Sequence, residues 1–261
     1  MKLSALLLAL ALIPVYQIGF AGEIVGAWVF DEDQGDKIKD ISGTGNDGIV
    51  HGAKWTKEGK FGGALEFDGD DDWVEVPNHE SLQFPKGTDF TLACWIKITT
   101  PEPSPPMLIA KNYHTTSQML PWYALYYANQ NKSVDGSVSF FLRDKNSTNY
   151  HISSQSKIDD GDWHHVAGIR EKGKIMLYVD GKLEAEMDGA DVDVGTNDGP
   201  LHFMSHYNRF LGGVLDEVLI ARYALSESDL KKLMDNGIIS FTAIELGGKL
   251  PSIWGRLKTA R

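Results

Sequence analysis

The sequence predicts an all-β chain: a two-sheet antiparallel β-sandwich with one short helix towards the C-terminal side. Short runs rich in aromatic and β-branched residues recur along it, separated by Gly, Asp and Asn. Only one segment has helical periodicity with both a cap and a stop. Of 261 residues, 42% are hydrophobic and 23% charged, enough to bury a core of ordinary size.

The chain opens with MKLSALLLALALIPVYQIGFAG. Lys2, a short apolar stretch and Gly19-Phe20-Ala21 read as a secretory signal peptide over residues 1–21, cut after Ala21. Pro14 and Gln17 interrupt the stretch, and it is too short for a comfortable membrane span. Export to the periplasm, the cell surface or the medium is the expectation. Cys94, the single cysteine, lies in the apolar run TLACWIKI and is expected to be a small buried hydrophobe. The net charge is −11, or −12 once Lys2 is removed, which excludes the basic stripe that nucleic acid requires.

Strands are predicted in order at VGAWVF (25–30), ALEF (64–67), WVEV (73–76), FTLACWIKI (90–98), WYALYYA (122–128), VSFFLR (138–143), HHVAGIR (164–170), KIMLYV (174–179), KLEAEM (182–187), PLHFM (200–204) and GVLDEVLIA (213–221). Asp180-Gly181 marks a tight hairpin, because a type I′ turn needs positive φ at both central residues. In ALSESDLKKLMDNG, Ser226 caps a helix with Asp229 three residues on, Leu225 and Leu230 can staple it, and Asn236-Gly237 stops it. PEPSPP (101–106) reads as a stiff loop within one domain, since similar strands continue on both sides. Residues 22–237 form that domain, and 238–261 are expected to hold a strand and a basic tail.

The acidic stretch in GALEFDGDDDWVEV (63–76) reads as a solvated hairpin turn between two strands. An EF-hand loop starting at Asp68 needs Gly at its sixth position and Glu at its twelfth, where Trp73 and His79 stand. His164 and His165 are adjacent on a strand, diverge, and make a poor zinc pair.

Several segments occur in a distinctive order: GAWVFDE, DISGTGNDGIVHGAKW, GKFGGALEFDGDDDWVEVP, FTLACWIKI, DWHHVAGI, LYVDGK and GGVLDEVLIARYALSESDL. Over roughly residues 23–237 the chain resembles the laminin-G-like, concanavalin A-like jelly-roll family of bacterial exported proteins. The resemblance implies a fold that carries lectins, adhesion modules and some glycosidases, so it predicts fold better than function. It also implies a structural calcium held by Asp31, Asp40, Asn46 and Asp216. The chemistry of Asp216 agrees, because a lone carboxylate inside an apolar run is costly without a cation or donors. Retaining glucanases of this fold carry alternating acids on one strand. Glu66, Asp68 and Asp70 have the spacing, but Gly69 interrupts the strand and the third acid is Asp, so no catalytic residues are assigned.

The expected function is non-catalytic carbohydrate binding, the partner being a glycan or glycosylated surface. A laminin-G-type adhesion module and a glycosidase are the alternatives. Candidate ligand residues are Trp122, Tyr123, Tyr126, Arg143 and Tyr150, then His206, Tyr207 and Arg209, because sugars bind aromatic faces and planar hydrogen-bonding groups. In WYALYYA alternation sends Trp122 and Tyr126 to one side and Tyr123 and Tyr127 to the other, and one set belongs to the core.

Overall fold

The computed structural model describes residues 23–100, 107–111, 121–128, 136–205 and 209–245. The expected leader, the PEPSPP loop, His206, Tyr207 and the basic tail lie outside these residues. The strands, in chain order, are β1 Ile24–Trp28, β2 Lys37–Ile38, β3 Gly48–His51, β4 Lys54–Thr56, β5 Ala64–Asp68, β6 Trp73–Val76, β7 Phe90–Thr100, β8 Met107–Lys111, β9 Trp122–Ala128, β10 Ser137–Arg143, β11 Asn149–Ser153, β12 His164–Glu171, β13 Lys174–Val179, β14 Lys182–Met187, β15 Leu201–Phe203 and β16 Gly212–Ala221. One helix, α1, covers Glu227–Glu245.

The strands form two antiparallel sheets. The first runs β14-β13-β12-β7-β16-β5-β4, with β1 also paired to β16; the second runs β11-β10-β9-β8-β15-β6-β3-β2. Alternation turns one face of each sheet inward. Leu65, Phe67, Leu92, Cys94 and Ile96 meet Val74, Val76, Leu125, Phe140 and Phe203 in one continuous core. Cys94 is buried as expected, and burial pushes its thiol up to about 12. The helix covers the outer face of the first sheet, where Leu230, Leu233, Ile238 and Phe241 pack on Ala93, Ala167, Ile169 and Leu219. The outer face of the second sheet receives no such helix among the described residues.

The hairpin at Asp180-Gly181 forms with φ of 49° and 75°. Ser226 caps α1 by accepting from the Asp229 amide, and Leu225 and Leu230 are both buried at its start. At Gly237 the helix breaks, with φ 73° and ψ 169°. It resumes because the buried Glu217 carboxylate accepts from the Ile238 amide and so caps a second segment. The expected C-terminal strand is therefore helix as far as Glu245.

The acidic turn also differs from expectation. Leu65, Phe67, Val74 and Val76 do face one interior, but β5 pairs β16 and β4 whereas β6 pairs β3 and β15. Residues 69–72 therefore cross between sheets and close no hairpin. Asp72 is buried and accepts from the Asp68 amide, so it holds the crossing in place.

Buried cations tie the loops to the core. Arg170 points inward and donates to the carbonyls of Pro85, Thr88, Ala190 and Val192. Lys111, also inward and fully buried, donates to Asn78 Oδ1, Asn197 Oδ1 and Gly199 O. The Asn197 amide in turn donates to Pro121 O, just before β9. Each cation satisfies acceptors that burial would otherwise leave unpaired.

Candidate functional site

The register of the second sheet fixes which side chains share its outer face. Phe141 on β10 lies opposite Ala124 on β9 and His151 on β11. Tyr126 and Trp122 flank Ala124 two residues away and therefore point outward with Phe141. Tyr123 and Tyr127 point inward. Tyr123 is fully buried and its hydroxyl donates to Leu82 O at 2.9 Å, while the Tyr127 hydroxyl donates to Asp159 at 2.7 Å. Tyr150, opposite Leu142, packs against the core. Tyr123 and Tyr150 are thus core-side residues and leave the ligand set, because strand parity turns them away from the open face.

On the outer face Trp122 stacks on Phe141 at 4.3 Å, and Tyr126 meets the edge of Phe141 at 6.3 Å. The Tyr126 hydroxyl and His151 Nε2 are 2.7 Å apart. Ser139 and Ser153 share a 2.7 Å hydrogen bond beside them, and Ser153 Oγ reaches His151 at 3.2 Å. Trp122 is buried, Tyr126 and Phe141 are partly open, and His151 is exposed. Desolvation of the ring lowers the His151 pKa, so at neutral pH the imidazole is uncharged and can exchange hydrogen bonds with hydroxyls.

Arg143 faces outward opposite Trp122 and Asn149, towards the other end of the same face. Arg209 is exposed in the loop after β15. That loop leaves the sheet at the end where Tyr126 lies, since Phe203 pairs Ile109 and Tyr126 pairs Met107. Of the expected residues, the structure therefore gathers Trp122, Tyr126 and Arg143 on one face. It adds Phe141 and the serines. Nothing in SFFLR distinguishes Phe141 from Phe140; only the register does. Glu66 and Asp68 project from the outer face of the first sheet, away from this patch, and the Asp70 amide donates to Asp68 in the crossing loop.

A second polar group lies on the first sheet. Asp216 is fully buried; its oxygens accept from the amides of Phe61 and Glu217. Asp31 accepts from Gly63 in the same loop. Desolvation raises the Asp216 pKa to about 7 and that of Glu217 to about 8, and the charge of Asp31 adds to both shifts. Asp31, Asp216 and Glu217 lie near enough for the charge of one to raise the pKa of another, and Asp216 and Glu217 have no ion-pair partner among the described residues. Asp40 and Asn46 serve otherwise. The oxygens of Asp40 accept from the amides of Ala27, Ser42, Gly45 and Asn46 and from the Ser42 hydroxyl. The Asn46 amide nitrogen donates to Val25 O and Ser81 Oγ. Neither shares a partner with Asp31 or Asp216. Among the described residues, the group of acids that brings one oxygen each within 4.8 Å of one another is Asp68, Asp71 and Asp72 in the crossing loop.

His164 and His165 diverge as expected. His164 bridges Asp180 at 2.8 Å and Asp160 at 3.0 Å. His165 is buried opposite Trp95, and desolvation pulls its pKa to about 4.

The chain matches a family described as the concanavalin A-like lectin/glucanases superfamily over residues 68–231. No curated protein matches it. Among solved structures, the binding domain of Paraclostridial Mosquitocidal Protein 1 superposes with a TM-score of 0.66 at 18% identity, over 81% of this chain and 52% of that one. Domain 4 of AbnA, an extracellular arabinanase from Geobacillus stearothermophilus in complex with arabinotriose, gives 0.66 at 16%, over 82% and 98%. The ligand-binding domain of botulinum neurotoxin serotype D in complex with N-acetylneuraminic acid gives 0.64 at 15%, over 83% and 52%. The chain thus spans about half the length of the toxin domains and nearly all of the arabinanase domain. These likenesses concern the fold.

Proposed function

The chain belongs to the concanavalin A-like lectin/glucanase superfamily, and from that premise we propose that it is an exported, non-catalytic carbohydrate-binding domain with a structural calcium. The observation that carries this reading is the Tyr126–Phe141–His151 cluster. Aromatic faces suit the C–H face of a sugar, while the serines, the neutral imidazole and Arg143 suit its hydroxyls. The toxin and arabinanase domains of this fold, solved with N-acetylneuraminic acid and arabinotriose, support the reading. The acid spacing of a glucanase lies on the other sheet, which favours binding over hydrolysis. The leader-like residues 1–21 support export.

Asp31 and Asp216 would hold the calcium, with Glu217 beside them. A bound divalent ion would neutralise carboxylates that burial otherwise drives towards protonation. Asp40 and Asn46 are left out of this set.

A glycan array followed by titration tests the function. Binding should be saturable and fall about tenfold in Phe141→Ala, roughly 1.4 kcal/mol, with no release of reducing ends. Cleavage of any bound glycan by the purified chain would replace this reading with the hydrolase. Capture of a protein partner that free sugars do not compete would favour the adhesion module.

A further inference from the structure

The second sheet carries another partly open aromatic group, on β3 and β6. His51 stacks on Trp73, with centroids 4.1 Å and planes 9° apart. The His202 ring on β15 stands T-shaped to Trp73 at 4.9 Å, and its Nε2 lies 3.6 Å from Glu75. The register aligns Glu75, His202, Ala110, Ala124, Phe141 and His151 in one row across the sheet. Glu75 therefore faces outward with the Phe141 cluster, and Trp73, two residues earlier, shares its face. Ile49, opposite Glu75, is 38% exposed, one of the few large apolar side chains so open among the described residues. Between the two aromatic groups His202, Ala110 and Ala124 are buried, so the openings are separate. From β6 to β10 is four strand steps, about 19 Å at ~4.8 Å each.

An indole stacked on one imidazole and met perpendicularly by a second loses little freedom when something binds it. Beside it stand an exposed apolar side chain and a carboxylate acceptor. An aromatic face with a planar acceptor is the chemistry that grips a sugar ring. We propose that His51, Trp73 and Glu75 form a second subsite for a neutral sugar unit, so that the domain grips a polysaccharide at two points about 19 Å apart. The inference rests on reading this face as glycan-binding. Occupying the second subsite is then intramolecular, and a polymer binds more tightly than a short oligosaccharide.

The test uses a panel of neutral trisaccharides, arabinotriose among them, and the corresponding polysaccharides. Wild type should bind two trisaccharides per chain, and Trp73→Ala and Phe141→Ala one each. Both variants should lose at least tenfold in affinity for the polymer. Trp73→Phe, which keeps the stack, should retain polymer binding. If Trp73→Ala does not fold, Glu75→Ala should weaken one of the two trisaccharide sites. One trisaccharide per wild-type chain, with polymer affinity unmoved by Trp73→Ala or Glu75→Ala, overturns the second subsite and leaves the Phe141 site standing. A wild type that binds no member of the panel overturns both.

Discussion

Replacing Lys111 by methionine removes a buried ammonium while nearly preserving volume. The ammonium donates to Asn78 Oδ1 at 2.9 Å, Asn197 Oδ1 at 2.9 Å and Gly199 O at 2.5 Å, with Asn197 O at 3.3 Å. Hydrogen bonds to a charged group contribute about 1.5–3 kcal/mol each, so losing three costs about 5–9 kcal/mol. Against this, burial holds the Lys111 pKa at about 8, down from 10.5. At about 1.4 kcal/mol per unit, the variant is relieved of roughly 3 kcal/mol of desolvation at neutral pH. The net expectation is a loss of about 2–6 kcal/mol. It is read as a lower urea midpoint at unchanged slope. The sign with pH is also fixed. The folded chain gives up this proton at a lower pH than the unfolded chain, so between about pH 8 and 10.5 the unfolded state holds more protons. The contribution is complete above 10.5 and lost as pH falls through 8, and the gap between wild type and variant should widen by up to ~3 kcal/mol over that window. Equal stability at pH 7, or a gap that narrows towards pH 10, would refute this reasoning.

Three further outcomes are expected. Millimolar calcium should raise the melting temperature and a chelator should reverse it, since an ion at 100 times its Kd adds about 2.7 kcal/mol; Asp216→Asn should abolish the response, and an unchanged melt in excess chelator would mean that Asp216 and Glu217 are held by protons. For His164, burial opposes the charge, but its hydrogen bonds to the Asp180 and Asp160 carboxylates outweigh it and raise the pKa. The charged form therefore stabilises fully below pH 6.5, and the advantage of wild type over His164→Asn should shrink as pH rises from 6.5 through the folded value; a gap flat from pH 5.5 to 8 would contradict the bridge. Gly237→Ala should cost about 1–3 kcal/mol, because the backbone region is reserved for glycine and the new methyl meets Glu217 Oε2 at 3.1 Å; a neutral effect on the thermal midpoint would mean the kink relaxes.

The sandwich was legible because strand periodicity and punctuation are local. Asp180-Gly181 and Ser226 act within a few residues, and each occupies its expected place. The DGDDD stretch misled because parity shows that Leu65, Phe67, Val74 and Val76 share an interior, but not that they reach it from opposite sheets. The pairing partner of a strand is a long-range property. The site shows the same division. Alternation separated Trp122 and Tyr126 from Tyr123 and Tyr127, yet only the register with β10 and β11 turned Phe141 outward and brought His151 beside Tyr126. Lys111 and Arg170 look like surface residues in sequence, and their burial follows from carbonyls contributed by loops remote in the chain. The kink at Gly237 reads as a helix stop, because the carboxylate that restarts the helix comes from Glu217 on β16.

The most direct measurement is to follow backbone amide shifts while a neutral glycan selected on the array is titrated into the folded chain. Perturbations should centre on Tyr126, Phe141 and His151, with smaller ones at Trp73 and Glu75, and the glycan should be recovered intact. Shifts confined to the first sheet, or none at saturating glycan, would show that the outer face of the second sheet is not a sugar-binding surface.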